Sequence, residues 1–132
     1  MDPRHEERIT IVQNLFAHCF HIEGQNTLPH PEDKTTNIII QRLAEIDAHI
    51  AKHAPKYPLD RIAKADLSIL RLSVYELIVN KKEPTKVIIN EAVELAKELG
   101  GDRSYAFVNA VLGSILTEFE TDDTQEITEI TH

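Results

Sequence analysis

The sequence predicts an all-α protein, and three observations support this. Apolar residues recur every three or four positions in successive stretches, a spacing that places them on one face of a helix. Aliphatic side chains dominate the apolar set and Trp is absent, whereas sheets favour aromatic and β-branched residues. Glycine and proline are sparse, with four and six in 132 residues. We therefore expect a helical bundle with five or six helices.

Two helices are predicted in the N-terminal half. The first runs from about residue 5 to residue 22, and its apolar stripe consists of Ile9, Val12, Phe16 and Cys19. A loop with two prolines follows. The second helix runs from about residue 34 to residue 53, with its stripe at Ile39, Leu43, Ile46 and Ile50. Pro55 and Pro58 end it, because proline cannot continue the hydrogen-bond ladder of a helix.

Three helices are predicted in the C-terminal half. The helix over about 59–79 has a wide apolar face, which indicates a central element contacted on several sides. The next helix follows Pro84, and either Gly100 or Gly101 is expected to end it in the left-handed conformation. Asp102 is a suitable N-cap for the last helix. Its packing residues are Phe107, Val108, Val111, Leu112 and Ile115.

Charge is unevenly distributed along the chain. Six acidic residues and no Lys or Arg lie in 118–132, so the net charge of −8 leaves about −2 for the remainder. Between Lys52 and Lys86, eight Lys and Arg outnumber four Asp and Glu. We expect a globular domain over residues 1–120 with a basic middle, followed by an acidic tail over 121–132 without regular structure. The single Cys19 and the lack of a long apolar run favour a cytoplasmic protein.

No catalytic motif is present, since the chain has neither a glycine-rich phosphate loop nor a nucleophile elbow nor an HExxH helix. A zinc site is one alternative for the histidines, with candidate ligands at His18, Cys19, His21, His49 and His53. Cys19 lies on an apolar stripe, however, where free cysteine acts as a small core residue. We therefore predict no enzyme activity, no cofactor and no metal.

Two blocks carry a family resemblance. Residues 86–109 read KVIINEAVELAKELGGDRSYAFVN, which is a helix, a glycine stop and the start of another helix. Residues 66–77 read DLSILRLSVYEL. Both resemble the C-terminal half of the NusB family, and the resemblance is closest over about 59–116. It implies an all-α fold of two packed helical subdomains, here about 1–55 and 56–120. It also implies binding of boxA RNA together with NusE, a protein of the small ribosomal subunit, without catalysis.

The resemblance assigns site residues as well. The family's arginine-rich first helix matches PRHEERITIVQNLF at residues 3–16, and the start of the last helix supplies polar and aromatic side chains. The RNA-binding residues that it implies are Arg4, Arg8, Gln13, Arg103, Ser104, Tyr105 and Phe107. The partner-binding residues that it implies are Phe16, Tyr75 and Glu76. An exposed Tyr105 would stack on an unpaired base, whereas Phe107 is the better candidate for packing.

Two functional hypotheses follow from these residues. The first is a transcription antitermination factor that binds boxA-like single-stranded RNA with NusE and connects it to the transcription elongation complex. The alternative is a NusB-like interaction module that has lost RNA binding. Glu6 and Glu7, which stand beside the arginines, and the acidic tail favour this alternative. Acidic residues are also ordinary at the positive end of a helix dipole.

Overall fold

A computed structural model describes residues 2–20 and 27–131, with side chains up to Phe119. Six α-helices make up this part of the chain, and it contains no strand, so the predicted fold class is confirmed. The helices are α1 (Pro3–Cys19), α2 (Lys34–Gln41), α3 (Leu43–His53), α4 (Lys64–Tyr75), α5 (Thr85–Leu99) and α6 (Ser104–Thr131). No helix among these residues is long and apolar enough to cross a membrane.

α4 is the central helix of the bundle, as its wide apolar face predicts. It packs against each of the other five helices. Its side chains are buried on almost every side, and the fully buried ones include Ile69, Leu70 and Val74. Because α4 contacts helices from both halves of the chain, the two halves share one core. The boundary between two subdomains near residue 55 stays a prediction.

The second predicted helix is two helices, which is a correction. The backbone departs from helical geometry at Arg42, with φ −112° and ψ 16°. Its N–H bonds to the carbonyl of Ile39, one residue closer than in an α-helix. The helix is thus interrupted at Arg42, and Ile39 before the break and Ile46 after it are both fully buried.

Helix α4 is shorter than predicted and is flanked by two unusual turns. A 3₁₀ turn, Leu59–Arg61, precedes it, and a π-helical turn, Glu76–Asn80, follows it. The π turn ends at Lys81, whose φ of 54° is the only positive value of a non-glycine residue in the described chain. This turn and the loop after it lie beside the start of α1, and they position the carboxylates discussed below.

Gly100 does not end α5 in the left-handed conformation that was predicted for it or for Gly101. Gly100 has φ −98° and ψ −170°, so it is extended rather than left-handed. A Cβ atom there would lie 2.4 Å from Ser104 Oγ and 2.7 Å from the Ala96 carbonyl. Gly100 therefore allows α5 and α6 to approach closely. The helix after it begins at Ser104, one residue later than an Asp102 cap predicts.

α6 continues to Thr131, so residues 121–131 have helical backbone where an irregular tail is predicted. Extending an existing helix avoids the nucleation cost that a separate polar segment would meet. The tail's acidic side chains lie outside the described part, as do His21 and the residues around the predicted first loop at 21–26.

Candidate nucleic-acid interface

Arg8, predicted to bind RNA, points into the protein. It shares the helical face of Ile11 and Leu15, which is the face that packs on α4. Only 8% of Arg8 is exposed. Its Nε–H donates to Glu76 Oε1 at 2.9 Å and its Nη2–H donates to Glu76 Oε2 at 3.0 Å, and Nη2 also contacts Glu83. Nε and Nη2 of Arg8 are thus paired with carboxylates of the π turn and the following loop, and Nη1 lies 3.7 Å from Glu91 of α5.

The Arg8–Glu76 pair joins a predicted RNA contact to a predicted partner contact. Glu76 is 9% exposed and begins the π turn. Burial alone would lower the pKa of the Arg8 guanidinium, but the hydrogen bonds and charges of Glu76 and Glu83 outweigh it and raise that pKa. Both side chains therefore hold α1 against the end of α4, and neither presents a free charge to a ligand.

The other cations at the start of α1 also face carboxylates. The Arg4 side chain is 71% exposed, with Nη1 3.3 Å from Glu83. His5 lies between Glu91 at 2.9 Å and Glu98 at 2.8 Å, and these hydrogen bonds raise its pKa. The start of α1 is consequently not a positive surface in the free protein, although its sequence contains two arginines and a histidine.

A second surface lies at the start of α6 and carries unneutralised cations. A hollow of about 370 Å³ opens there, and we call it the α6 hollow; its lining includes Tyr57, Arg61, Asp66, Arg103, Ser104 and Phe107. Arg61 and Arg103 are exposed, and no ion pair or side-chain hydrogen bond within the described chain involves either of them. Guanidinium groups pair bidentately with phosphate and carboxylate groups, so this hollow is a candidate anion-binding site.

Aromatic rings stand beside these cations. Tyr57 is 52% exposed, and its ring meets the Phe107 ring edge-on at a centroid distance of 6.0 Å. Phe107 is half-buried and packs against the core, as predicted. Asp66 is the only acid in the lining, and its buried Oδ1 has no hydrogen-bond partner among the described residues. The α6 hollow therefore combines cations, an exposed ring and one unused acceptor.

The remaining residues predicted for the start of α6 have separate roles. The Ser104 hydroxyl accepts the Gly101 N–H at 2.8 Å and is buried, so it shapes the turn before α6. Tyr105 is exposed, with the Lys97 ammonium 5.5 Å from its ring centroid. Lys97, which lies over Tyr105, and Glu98, which binds His5, are neighbours in the last turn of α5. Tyr105 and the start of α1 therefore lie at the same end of the bundle.

The predicted partner residues do not form one surface. Phe16 is exposed on α1 and contacts the Phe20 ring at 5.1 Å. Tyr75 is buried in the core, and Glu76 is occupied by Arg8. Gln13, predicted to bind RNA, is exposed and hydrogen-bonds the His30 ring at 2.7 Å. Only Phe16 and Gln13 of these four present accessible side chains.

Sequence reasoning missed Tyr57, Arg61 and Glu83. An aromatic residue between Lys56 and Pro58, in a loop within the basic middle, was a usable signal for Tyr57. Nothing comparable marked Glu83, whose contacts are with residues more than 70 positions earlier in the chain.

The zinc alternative gains no support from the described residues, which contain no group of three or more His, Cys, Asp or Glu side chains placed to hold a metal ion. The His53 ring bonds to Ser114 and Glu118, and the His49 ring lies against Phe119 at 5.8 Å. His21 lies outside the described residues.

Comparison with known proteins identifies the family. A sequence model of the NusB family matches residues 32–117. A Lysinibacillus sphaericus protein named transcription antitermination protein NusB is 40% identical over 127 residues, covering 89% of this chain and 98% of the relative. A protein of the same name from Agathobacter rectalis is 51% identical over 80 residues, covering 61% of each. The chain spans 61–64% of the length of that relative and two others, from Clostridium novyi and Bacillus velezensis.

Solved structures agree with the sequence match. NusB of T. maritima superposes with a TM-score of 0.74 at 32% identity, covering 89% of this chain and 92% of that one. A chain from a complex of antitermination factors NusB and NusE with dsRNA superposes with a TM-score of 0.70 at 23% identity, covering 89% and 99%, which shows a shared fold. On the family model and on the relative matched almost end to end, this chain belongs to the NusB family.

Proposed function

We propose that this chain is a transcription antitermination factor that binds boxA-like single-stranded RNA together with NusE. The observation that carries the proposal is the α6 hollow, where Arg61 and Arg103 are unpaired beside the exposed Tyr57 ring. Phosphates account for most of the affinity of proteins for RNA, and stacking of unpaired bases on aromatic rings adds to it. The relatives' name, transcription antitermination protein, supports the same function.

Within this proposal, RNA contacts come from Arg103, Tyr105 and the rim of the α6 hollow, while Arg4 is paired with Glu83. Arg8 and Ser104 support this surface from inside. Phe16 is the exposed member of the proposed NusE-binding set. The protein would act in the cytoplasm as a tether between nascent RNA and the elongation complex. It would perform no catalysis, and it would need neither cofactor nor metal.

The alternative function is an interaction module that binds NusE but not RNA. The observation that favours it is the start of α1, where Glu76, Glu83, Glu91 and Glu98 neutralise the cations that the family uses for RNA. The two functions differ in whether the α6 hollow suffices to hold RNA once NusE is bound.

A titration of labelled boxA RNA, with the chain alone and with its cognate NusE, distinguishes the two functions. Phosphate contacts by Arg61 and Arg103 give a salt slope of about −1.4 for single-stranded RNA, so the affinity should fall about sevenfold between 50 and 200 mM salt. We expect binding that is tightened by NusE and weakened by salt. A stable complex with NusE that binds no RNA at 50 mM salt would instead establish the alternative.

A further inference from the structure

Glu83 is held in place by the backbone on both sides of it. It follows the left-handed Lys81 and precedes Pro84, and a residue before proline is restricted to extended conformations. Its side chain is 21% exposed and reaches both arginines of α1, with Arg4 Nη1 at 3.3 Å. The loop therefore presents the Glu83 carboxylate to the helix start that the family uses for RNA.

The two arginines depend on Glu83 to different extents. Arg8 is already paired through Nε and Nη2 with both oxygens of Glu76, so it keeps a bidentate partner without Glu83. The Arg4 guanidinium has no other carboxylate partner within the described residues. Removing the charge of Glu83 would therefore leave the buried pair intact and release one exposed guanidinium.

The contact lies in an open cleft that a phosphate can enter. This α1 cleft measures about 270 Å³, and Arg4, Glu7, Arg8, Glu76, Lys82 and Glu83 are among its lining residues. Lys82 is exposed and makes no ion pair within the described part of the chain. The cleft thus has two accessible cations at its rim, and one of them is occupied by Glu83.

We propose that Glu83 occupies the position of an RNA phosphate on Arg4 and so limits the affinity of this protein for RNA. This inference rests on the proposed function and adds a residue that sets its strength. A phosphate that pairs with Arg4 must either displace the Glu83 carboxylate from Nη1 or lie close to its negative charge. The contact between Arg4 and RNA therefore contributes little while Glu83 is charged.

The expected gain on removing the carboxylate follows from counterion release. Each phosphate contact adds about 0.7 to the salt slope for a single strand, which corresponds to about fivefold in affinity at 0.1 M salt. Glu83→Gln should therefore bind boxA RNA, in the presence of NusE, about fivefold more tightly than the wild type at 0.1 M salt. Its salt slope should be steeper by about 0.7, and the gain should shrink as salt approaches 1 M.

The matched control is Glu45→Gln, which removes the same charge and frees an exposed arginine, Arg42, at the start of α3. It should leave RNA affinity within twofold of the wild type. Arg4→Gln provides a second test at an exposed position where folding is not at risk. It should change affinity less than twofold in the wild type, but it should abolish the gain of Glu83→Gln.

The outcomes separate this inference from the proposed function. If no variant, including the wild type, binds boxA RNA with NusE, the proposed function fails. If the wild type binds and Glu83→Gln binds equally, or if Glu45→Gln gains as much, Glu83 does not limit affinity and the inference is overturned. A fivefold loss for Arg4→Gln in the wild type would also overturn it, because Arg4 would already be free to bind RNA. Melting temperatures establish that each variant is folded.

Discussion

Replacing Arg8 by Ala should lower the free energy of unfolding of this protein. It should not remove a direct contact with RNA. The substitution removes a guanidinium that donates to both oxygens of Glu76 and leaves the Glu76 carboxylate buried without its cation. Breaking a buried ion pair by removing one partner costs about 3–5 kcal/mol. Glu76 lies at the edge of the α1 cleft, where water can approach it, so we take the lower limit of about 3 kcal/mol.

This loss converts into a readily measured change in melting temperature. The entropy of unfolding for 132 residues is about 280 cal/mol/K, so a loss of about 3 kcal/mol lowers Tm by about 10 °C. The measurement is thermal and urea unfolding of the wild type and Arg8→Ala. Arg4→Ala is the control, since its ion pair is exposed and should contribute less than about 1 kcal/mol.

A double variant tests the cause. Arg8→Ala combined with Glu76→Ala should be more stable than Arg8→Ala alone, because the unpaired carboxylate is gone. The structural role of Arg8 would be refuted if Arg8→Ala lowered stability by less than 1 kcal/mol while weakening RNA binding as strongly as a phosphate contact would. Reversing the charge of Arg8 is unsuitable as a test of RNA binding, since it would place a third carboxylate beside Glu76 and Glu83.

Three further predictions concern pH, packing and RNA. Because folding raises the pKa of His5, its contribution to stability is complete below pH 6.5 and is lost as pH rises through the raised pKa. Urea unfolding between pH 6 and 9 should therefore show a smaller loss of unfolding free energy for His5→Gln than for the wild type. Equal losses of unfolding free energy would contradict this. Gly100→Ala should lower the free energy of unfolding by about 2 kcal/mol, since the new Cβ would overlap Ser104 Oγ. An unchanged Tm would count against the close approach of α5 and α6 at Gly100. Tyr57→Ala should weaken boxA RNA binding about tenfold and leave NusE binding unchanged, whereas undiminished RNA affinity would exclude stacking at that ring.

The periodic apolar pattern was sufficient to predict the fold because packing of helices depends mainly on which face is apolar. The wide face of α4 indicated its central position, and three of the four residues in the stripe Ile39, Leu43, Ile46 and Ile50 are fully buried, Leu43 being half-buried. The stripe predicted for α1 was partly wrong, since Phe16 is exposed and Leu15 is buried in its place. The break at Arg42 was not predictable from the stripe that begins at Ile39, since arginine favours helices and its local preference is overridden here.

The candidate site was harder to predict because charge pairing joins distant parts of the chain. The inward direction of Arg8 could be inferred from its register with Ile11 and Leu15. The carboxylates that pair with Arg8 could not be inferred, because Glu76 lies 68 residues away on a turn of unusual geometry. Arg103 and Phe107 were predicted as site residues at the start of α6. Arg61 was not predicted, because it joins them only when the turn before α4 is folded.

The most direct test of the proposed site is an NMR titration of the ¹⁵N-labelled chain, bound to unlabelled NusE, with boxA RNA. The α6 hollow should show the largest amide shifts, at Tyr57, Arg61, Arg103 and Phe107, and these shifts should decrease as salt increases. Shifts concentrated on α2 and α3, with the hollow unchanged, would contradict this placement of the RNA. A NusE complex whose spectrum does not respond to RNA would contradict RNA binding itself.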